Sequence, residues 1–163
     1  FNNIYGTTLE EPEPLLSKTP RIKGLDGKEK MGKSLGNALY LTDDSETVKN
    51  KVMSAITDPN KIKKDDPANP DICMVYYYHK LVDNPNLETV CSECKKGTRG
   101  CVQCKKELIQ ELEKILTPIR ERRHKYEENP DEVKKILEHG TKEAKKIAEE
   151  TMKKVKTSMK IDY

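Results

Sequence analysis

The sequence contains no tryptophan, and its only phenylalanine is Phe1. Hydrophobic residues make up 34% of the chain, against a usual ~45–50% on a slightly different residue set. A core built from Leu, Ile, Val, Ala and Tyr is therefore expected, and a thin one; thin cores draw on a metal, a partner or a neighbouring domain. No apolar run approaches the ~20 residues that cross a bilayer, and no leader pattern opens the chain, so a soluble, cytoplasmic protein is expected. Phe1 is not an initiator methionine, and the chain is expected to begin inside a longer one. Also missing are a Walker A spacing, a Ser/His/Asp triad and a paired-carboxylate constellation. There is no large excess of one charge either: 31 Lys+Arg face 28 Asp+Glu, for a net +3. That balance alone does not identify a nucleic-acid binder. Distribution matters more, and basic pairs recur, among them Lys95–Lys96, Lys105–Lys106 and Arg122–Arg123.

What is present is helical pattern. Residues 1–29 hold Gly6, Pro12, Pro14, Pro20, Gly24 and Gly27 and read as extended chain and loop. From Ser45 the periodicity changes. Ser45 is placed to cap a helix carrying Val48, Val52, Ala55 and Ile56 on one face, stopped by Asp58–Pro59. Asn69–Pro70–Asp71 is a helix start that puts Ile72, Val75, Tyr76, His79 and Val82 on one side. His79 on that face reads as a core histidine rather than a ligand, and Tyr76 as core. Lys105 to about Glu127 forms a long helix with Leu108, Leu112, Ile115 and Ile119 spaced for burial and a kink at Pro118. Asn129–Pro130–Asp131 starts a helix that Gly140 ends, and Thr141 caps the last one, striped by Ala144, Ile147, Ala148, Thr151, Met152, Val155 and Met159. The fold class expected is mainly α, an all-helical bundle beyond residue 45.

Lys30-Met31-Gly32-Lys33-Ser34 is the sharpest motif. Two lysines flank small residues, with Gly24, Gly27 and Gly36 nearby. Such a loop can close over a triphosphate, and its ammonium groups then meet charge developing on a leaving pyrophosphate. The bland alternative is a lysine-rich surface loop.

All five cysteines fall between residues 73 and 104. Cys91-x₂-Cys94 and Cys101-x₂-Cys104 form two knuckles, with Gly97 and Gly100 letting the chain turn between them. Thiolates are good soft-metal ligands. A zinc site would use Cys91, Cys94, Cys101 and Cys104. A metal-free reading treats Cys73 as a small buried hydrophobe. Lys95, Lys96, Arg99, Lys105 and Lys106 surround the knuckles; they can offset thiolate charge or face RNA phosphates.

Lys30–Ser34 resembles the KMSKS signature of class I aminoacyl-tRNA synthetases. Gly24-Leu25-Asp26-Gly27, Leu35-Gly36-Asn37, Phe1-Asn2-Asn3 and Pro20-Arg21 look like its tryptophanyl branch. So do Lys51-Val52-Met53 with Thr57-Asp58-Pro59, and Pro118-Ile119-Arg120-Glu121-Arg122. Gly32 departs from that signature, which has serine there. The resemblance implies that residues 1–44 are the edge of a Rossmann-type catalytic domain and 45–163 a helical anticodon-binding domain. It implies that Lys30 and Lys33 hold ATP phosphates and act in catalysis, that Ser34 adds polar contacts, and that Met31 anchors the loop by packing beside Gly32. The implied partners are ATP with Mg²⁺, tryptophan, tRNA(Trp) and a second copy of the chain. The family's HIGH motif and tryptophan pocket are not in this sequence, so this chain alone is expected to be inactive. Some members carry a [4Fe–4S] cluster on one distant cysteine followed by C-x₆-C-x₂-C. Cys94, Cys101 and Cys104 match that triplet, and Cys73 lies upstream with 20 residues between it and Cys94, slightly fewer than the pattern has.

Overall fold

The computed structural model describes residues 1–28 and 30–161. Among these residues there is no β-strand; the α-helices are α1 (Asn2–Tyr5), α2 (Ser45–Ser54), α3 (Met74–Leu81), α4 (Leu87–Lys96), α5 (Cys101–Glu128) and α6 (Pro130–Met159). Single 3-10 turns stand at Lys33–Leu35 and Pro70–Ile72. The mainly-α expectation holds for the described residues. The chain forms two compact units, one of Leu16–Arg122 and one that joins Phe1–Leu15 to the chain from Arg123 onward.

The Leu16–Arg122 unit holds the core. Its spine is the stripe Cys104, Leu108, Leu112 and Leu116 on α5, all buried. Val48 and Val52 of α2, Val75, Tyr76 and Tyr78 of α3 and Val90 of α4 belong to the same buried cluster. The expected stripe on α5 was Leu108, Leu112, Ile115 and Ile119. The structure buries Leu116 and leaves Ile115 46% exposed, because the buried face follows a strict every-fourth-residue line. α5 also starts four residues earlier than expected and takes Cys101 and Cys104 into its first turn. Pro118 lies inside α5 without ending it.

The local chemistry of the helix ends differs from the expectation in instructive ways. α2 is capped by Asp44, whose carboxylate accepts the Thr47 N–H at 2.7 Å, and not by Ser45. A charged acceptor at the positive end of a helix is favoured over a neutral hydroxyl. Ser45 is the first helical residue instead, and its hydroxyl donates to Glu113 Oε2 at 3.0 Å. Glu113 is gripped at both oxygens by Arg120, at 2.7 and 3.0 Å, and Arg120 Nε donates to the Asp43 carbonyl at 2.7 Å. This ties the start of α2 to α5. Asn69–Pro70–Asp71 does start a turn, but a 3-10 one: Asn69 accepts the Asp71 N–H at 3.0 Å, and α3 begins only after Cys73. Ile72 is consequently 45% exposed rather than on the buried face. Asp58 organises the intervening loop by accepting the Asn60 and Asn69 N–H groups at 2.8 and 2.6 Å. Those donors hold its carboxyl below the usual carboxylate range, with Asn69 the largest contributor.

His79 is a satisfied core histidine. Asn84 Oδ1 accepts the Asn86 N–H at 2.8 Å, so Asn84 Nδ2 faces His79 Nδ1, 2.7 Å away, and donates to it. The Nε2–H then donates to the Cys104 carbonyl at 3.1 Å. Burial pushes the imidazole pKa down, which keeps it neutral.

In the other unit, Asn2 accepts the Thr8 and Leu9 N–H groups at 3.1 and 3.0 Å, and the Thr8 and Ser158 hydroxyls meet at 2.8 Å. Gly140 and Thr141 do not divide the C-terminal segment: α6 runs unbroken from Pro130 to Met159. A glycine inside a helix costs only about 1 kcal/mol relative to alanine, and the helix continues through it. None of its residues is buried, and Ile136, Leu137, Ile147 and Met152 of its apolar stripe are at least 50% exposed.

The α5 stripe makes a direct prediction. Leu108→Ala is expected to lower unfolding stability by about 2–5 kcal/mol, whereas Ile115→Ala is expected to stay within about 0.5 kcal/mol of the parent. Urea unfolding midpoints of the two variants check this.

Candidate functional site

The lysine loop is held by one amide. Asn37 is buried, 6% exposed. Its Oδ1 accepts the Gly32 N–H at 3.0 Å, and its Nδ2 donates to the Lys30 carbonyl at 3.2 Å and to Asp26 Oδ1 at 2.9 Å. Backbone bonds complete the clamp: Met31 N–H to the Ile22 carbonyl at 2.9 Å and Leu25 N–H to the Asn37 carbonyl at 3.1 Å. Two glycines are required by this arrangement. A Cβ on Gly24 would collide with the Asn37 amide, and Gly36 takes φ +65° to close the 3-10 turn. Gly32 is extended (φ −157°), a conformation open to any residue, so its replacement of serine is not forced by the backbone. Asp26 receives the Asn37 amide and the Lys28 N–H, which lower its pKa, Asn37 most of all. Lys30, Lys33 and Ser34 are exposed, and Met31 is half-buried against the core. Among the described residues no carboxylate pairs with Lys30 or Lys33. Among the described residues, then, neither loop lysine has an ion-pair partner, and both stand on a hydrogen-bonded backbone.

The cysteines come from three helix ends. Cys73 is the residue before α3, Cys94 lies in the last turn of α4, and Cys101 and Cys104 occupy the first turn of α5. α4 was not expected from the sequence, where Cys91–Cys94 read as a knuckle. Gly97 ends it in the left-handed region (φ +75°), against the Asp65 backbone. Cys73, Cys94, Cys101 and Cys104 line one small enclosed cavity of about 20 Å³ together with Thr57, Val75 and Arg99. Cys91 does not line it and lies against Tyr76. Burial pushes the Cys94 thiol up to about 11, helped by repulsion from Cys73, Cys104 and Cys101. Burial also raises Cys73 and Cys104. All five cysteines are free of disulfides. Among the described residues no three Cys, His, Asp or Glu side chains stand close enough, as placed, to share one ion.

The surrounding cations divide by role. Lys105 donates to the Met53 carbonyl at 2.7 Å and so caps α2. Arg99 turns inward and is 5% exposed, paired with Glu93 at 2.6 Å and with Glu107. Lys106 lines a separate open groove of about 680 Å³ with Lys61, Lys63, Lys64 and the exposed Ile62 and Val102. Cys101 borders both groove and cavity. Of the tyrosine run, Tyr76 and Tyr78 are buried and only Tyr77 is partly open. The Tyr78 hydroxyl donates to the Lys23 carbonyl at 2.6 Å.

The chain belongs to the class I tRNA synthetases (W and Y): that family matches residues 1–117, which hold both the lysine loop and the cysteine cavity. Its relatives narrow the likeness to one amino acid. It is 42% identical over 163 residues to the tryptophan–tRNA ligase of Aquifex aeolicus, covering 99% of this chain and 41% of that protein. It is 42% identical over 171 residues to that of Streptococcus pyogenes, covering all of this chain and 50% of the relative. The chain thus spans about half the length, or less, of these curated relatives. Tryptophanyl-tRNA synthetase from Campylobacter jejuni, solved with ADP and tryptophan, superposes with a TM-score of 0.80 at 28% identity over 97% of this chain and 49% of that one. No described helix is long and apolar enough to cross a membrane.

Asn37 was quoted in the sequence only as part of a resemblance. Its signal was there: a lone amide in a glycine-rich turn needs partners if it is buried. Asn37→Ala is expected to raise tryptic cleavage at Lys30 and Lys33 about tenfold, the equivalent of ~1.4 kcal/mol of loop opening, while Ser34→Ala leaves it unchanged. Because Asp26 is depressed, its contribution is present above the ordinary carboxylate pKa and is lost as pH falls through the lower folded value. Hydrogen-exchange protection of the Gly32 amide is expected to hold from pH 7 to about 5 and to fall below about pH 4.

Proposed function

We propose that this chain is part of a tryptophan–tRNA ligase, an enzyme that activates tryptophan with ATP and Mg²⁺ and transfers it to tRNA(Trp). The observation that carries this reading is the 42% identity along 99% of the chain to a tryptophan–tRNA ligase. The Campylobacter jejuni structure with ADP and tryptophan supports the same substrates. Residues 1–44 would be the edge of the Rossmann-type catalytic domain, and 45–163 the helical anticodon-binding domain. Homodimer formation and a cytoplasmic location follow from the family resemblance alone.

In this reading the tryptophan carboxylate attacks the α-phosphate of ATP, and the 3′-terminal ribose of tRNA then takes the aminoacyl group. Lys30 and Lys33 meet the phosphates with free ammonium groups whose backbone Asn37 fixes beforehand. Cations already oriented toward developing charge cost no reorganisation at the moment of reaction. The open groove with Lys61, Lys63, Lys64 and Lys106 suits an RNA backbone, and Ile62 and Val102 offer apolar contact for a base.

We assign the cysteine cavity to a [4Fe–4S] cluster. The four thiols that share it are Cys73, Cys94, Cys101 and Cys104, and the zinc alternative needs Cys91, which does not line it and lies against Tyr76. A single ion requires all ligands about 2.0–2.3 Å from one point. As placed, the described side chains do not meet that condition for any single ion, and the four cavity cysteines are the residues that would hold a cluster. When bound, the cluster would cross-link three helix ends of a thin core.

Lys33→Ala in the intact enzyme is expected to slow tryptophan-dependent pyrophosphate exchange by about 10²–10³-fold while leaving tryptophan affinity within about threefold. Equal exchange rates in variant and parent would remove the loop from the mechanism.

A further inference from the structure

Arg99 has more donors than its visible partners use. One terminal nitrogen pairs with Glu93 at 2.6 Å and the other with Glu107. Among the described residues its Nε is buried without any acceptor, alone among the buried side-chain nitrogens and oxygens. A buried N–H left unpaired is costly, so such an atom calls for a partner. Arg99 lines the cavity that the four thiols share, and its guanidinium sits against Cys104. On the other side, His79 Nε2 is 3.5 Å from Cys104 Sγ. The two glutamates hold the guanidinium plane in place, as a fork pinned at both tines.

We propose that Arg99 is a positioning residue of the cysteine site, its Nε–H donating to a sulfur of the bound cluster while Glu93 and Glu107 fix its orientation. This rests on the cluster assignment above. Four thiolates bring four negative charges into a buried pocket. Arg99 is the 5%-exposed cation at its wall, whereas Lys105 and Lys106 are engaged elsewhere or open to solvent. Hydrogen bonds to sulfur and nearby charge raise the reduction potential of such a centre by stabilising its more negative state. Partners behind the ligands also slow loss of the metal group.

The test uses the full-length protein purified without oxygen, as wild type, Arg99→Lys and Arg99→Gln. Iron content, reduction potential by spectroelectrochemical titration and bleaching by an iron chelator are read in each. Both variants are expected to shift the potential negative, Arg99→Gln more than Arg99→Lys, and to bleach about tenfold faster or more. Iron-loaded variants with the wild-type potential and bleaching rate overturn the role of Arg99 and leave the cluster standing. If a variant fails to load, wild type carrying ¹⁵N-arginine decides: pulsed electron paramagnetic resonance of the dithionite-reduced protein is expected to show ¹⁵N coupling, and its absence overturns the proposal. A wild type without iron overturns the cluster assignment, and this inference with it.

Discussion

Cys104, Leu108, Leu112 and Leu116 recur every fourth residue on α5 and are all buried, and the rest of the unit is arranged around that line. Three leucines join the buried cluster to which α2, α3 and α4 also contribute. The fourth position is a cysteine, and its backbone carbonyl accepts the His79 N–H. The stripe that forms the core thereby brings a thiol to the end of it. There Cys73 and Cys94 arrive from the ends of α3 and α4. Core packing and the cysteine cavity share one helix face, so disturbing either disturbs both.

The two chemical features are held by different means. The lysine loop has little packing behind it. Its shape comes from hydrogen bonds to one buried amide, with Gly24 small enough to let that amide approach. The lysines themselves stay exposed, as groups must if they are to meet a soluble polyanion. The cysteine site is the reverse: Cys73 and Cys104 are buried and Cys94 and Cys101 half-buried, burial pushes the Cys73, Cys94 and Cys104 thiols up, and its cation is drawn inward between two glutamates. Raised thiols release protons when they bind a metal, so occupancy couples to pH and to folding. A core with neither tryptophan nor phenylalanine among its buried residues gains most from such a cross-link.

Much of this could be read from residue order, and the failures have physical causes. Val48, Val52, Leu108 and Leu112 were placed by periodicity because a strong helical stripe leaves little choice. Ile115 was misplaced because it is as apolar as Leu116, and only packing tells them apart. Ser45 lost the cap to Asp44 because adjacent cappers compete and charge decides. Gly140 looked like a stop, but a glycine costs a long helix little. α4 went unseen because Cys91 and Cys94 suggested a knuckle before they suggested a helix. The four cysteines of the cavity were named together only through the family resemblance, since knuckle spacing alone pointed to Cys91 in place of Cys73, and the inward turn of Arg99 was not legible. Its neighbours Glu93 and Glu107 lie six residues before and eight after it, and only the fold brings them together.

Iron and zinc analysis with the visible absorption spectrum of the anaerobically purified protein tests the account most directly, compared across wild type, Cys73→Ser and Cys91→Ser. The account predicts about four irons per chain and broad absorption near ~400 nm in wild type, retained in Cys91→Ser and lost in Cys73→Ser. One zinc without colour, or a metal that depends on Cys91 and not on Cys73, would contradict it.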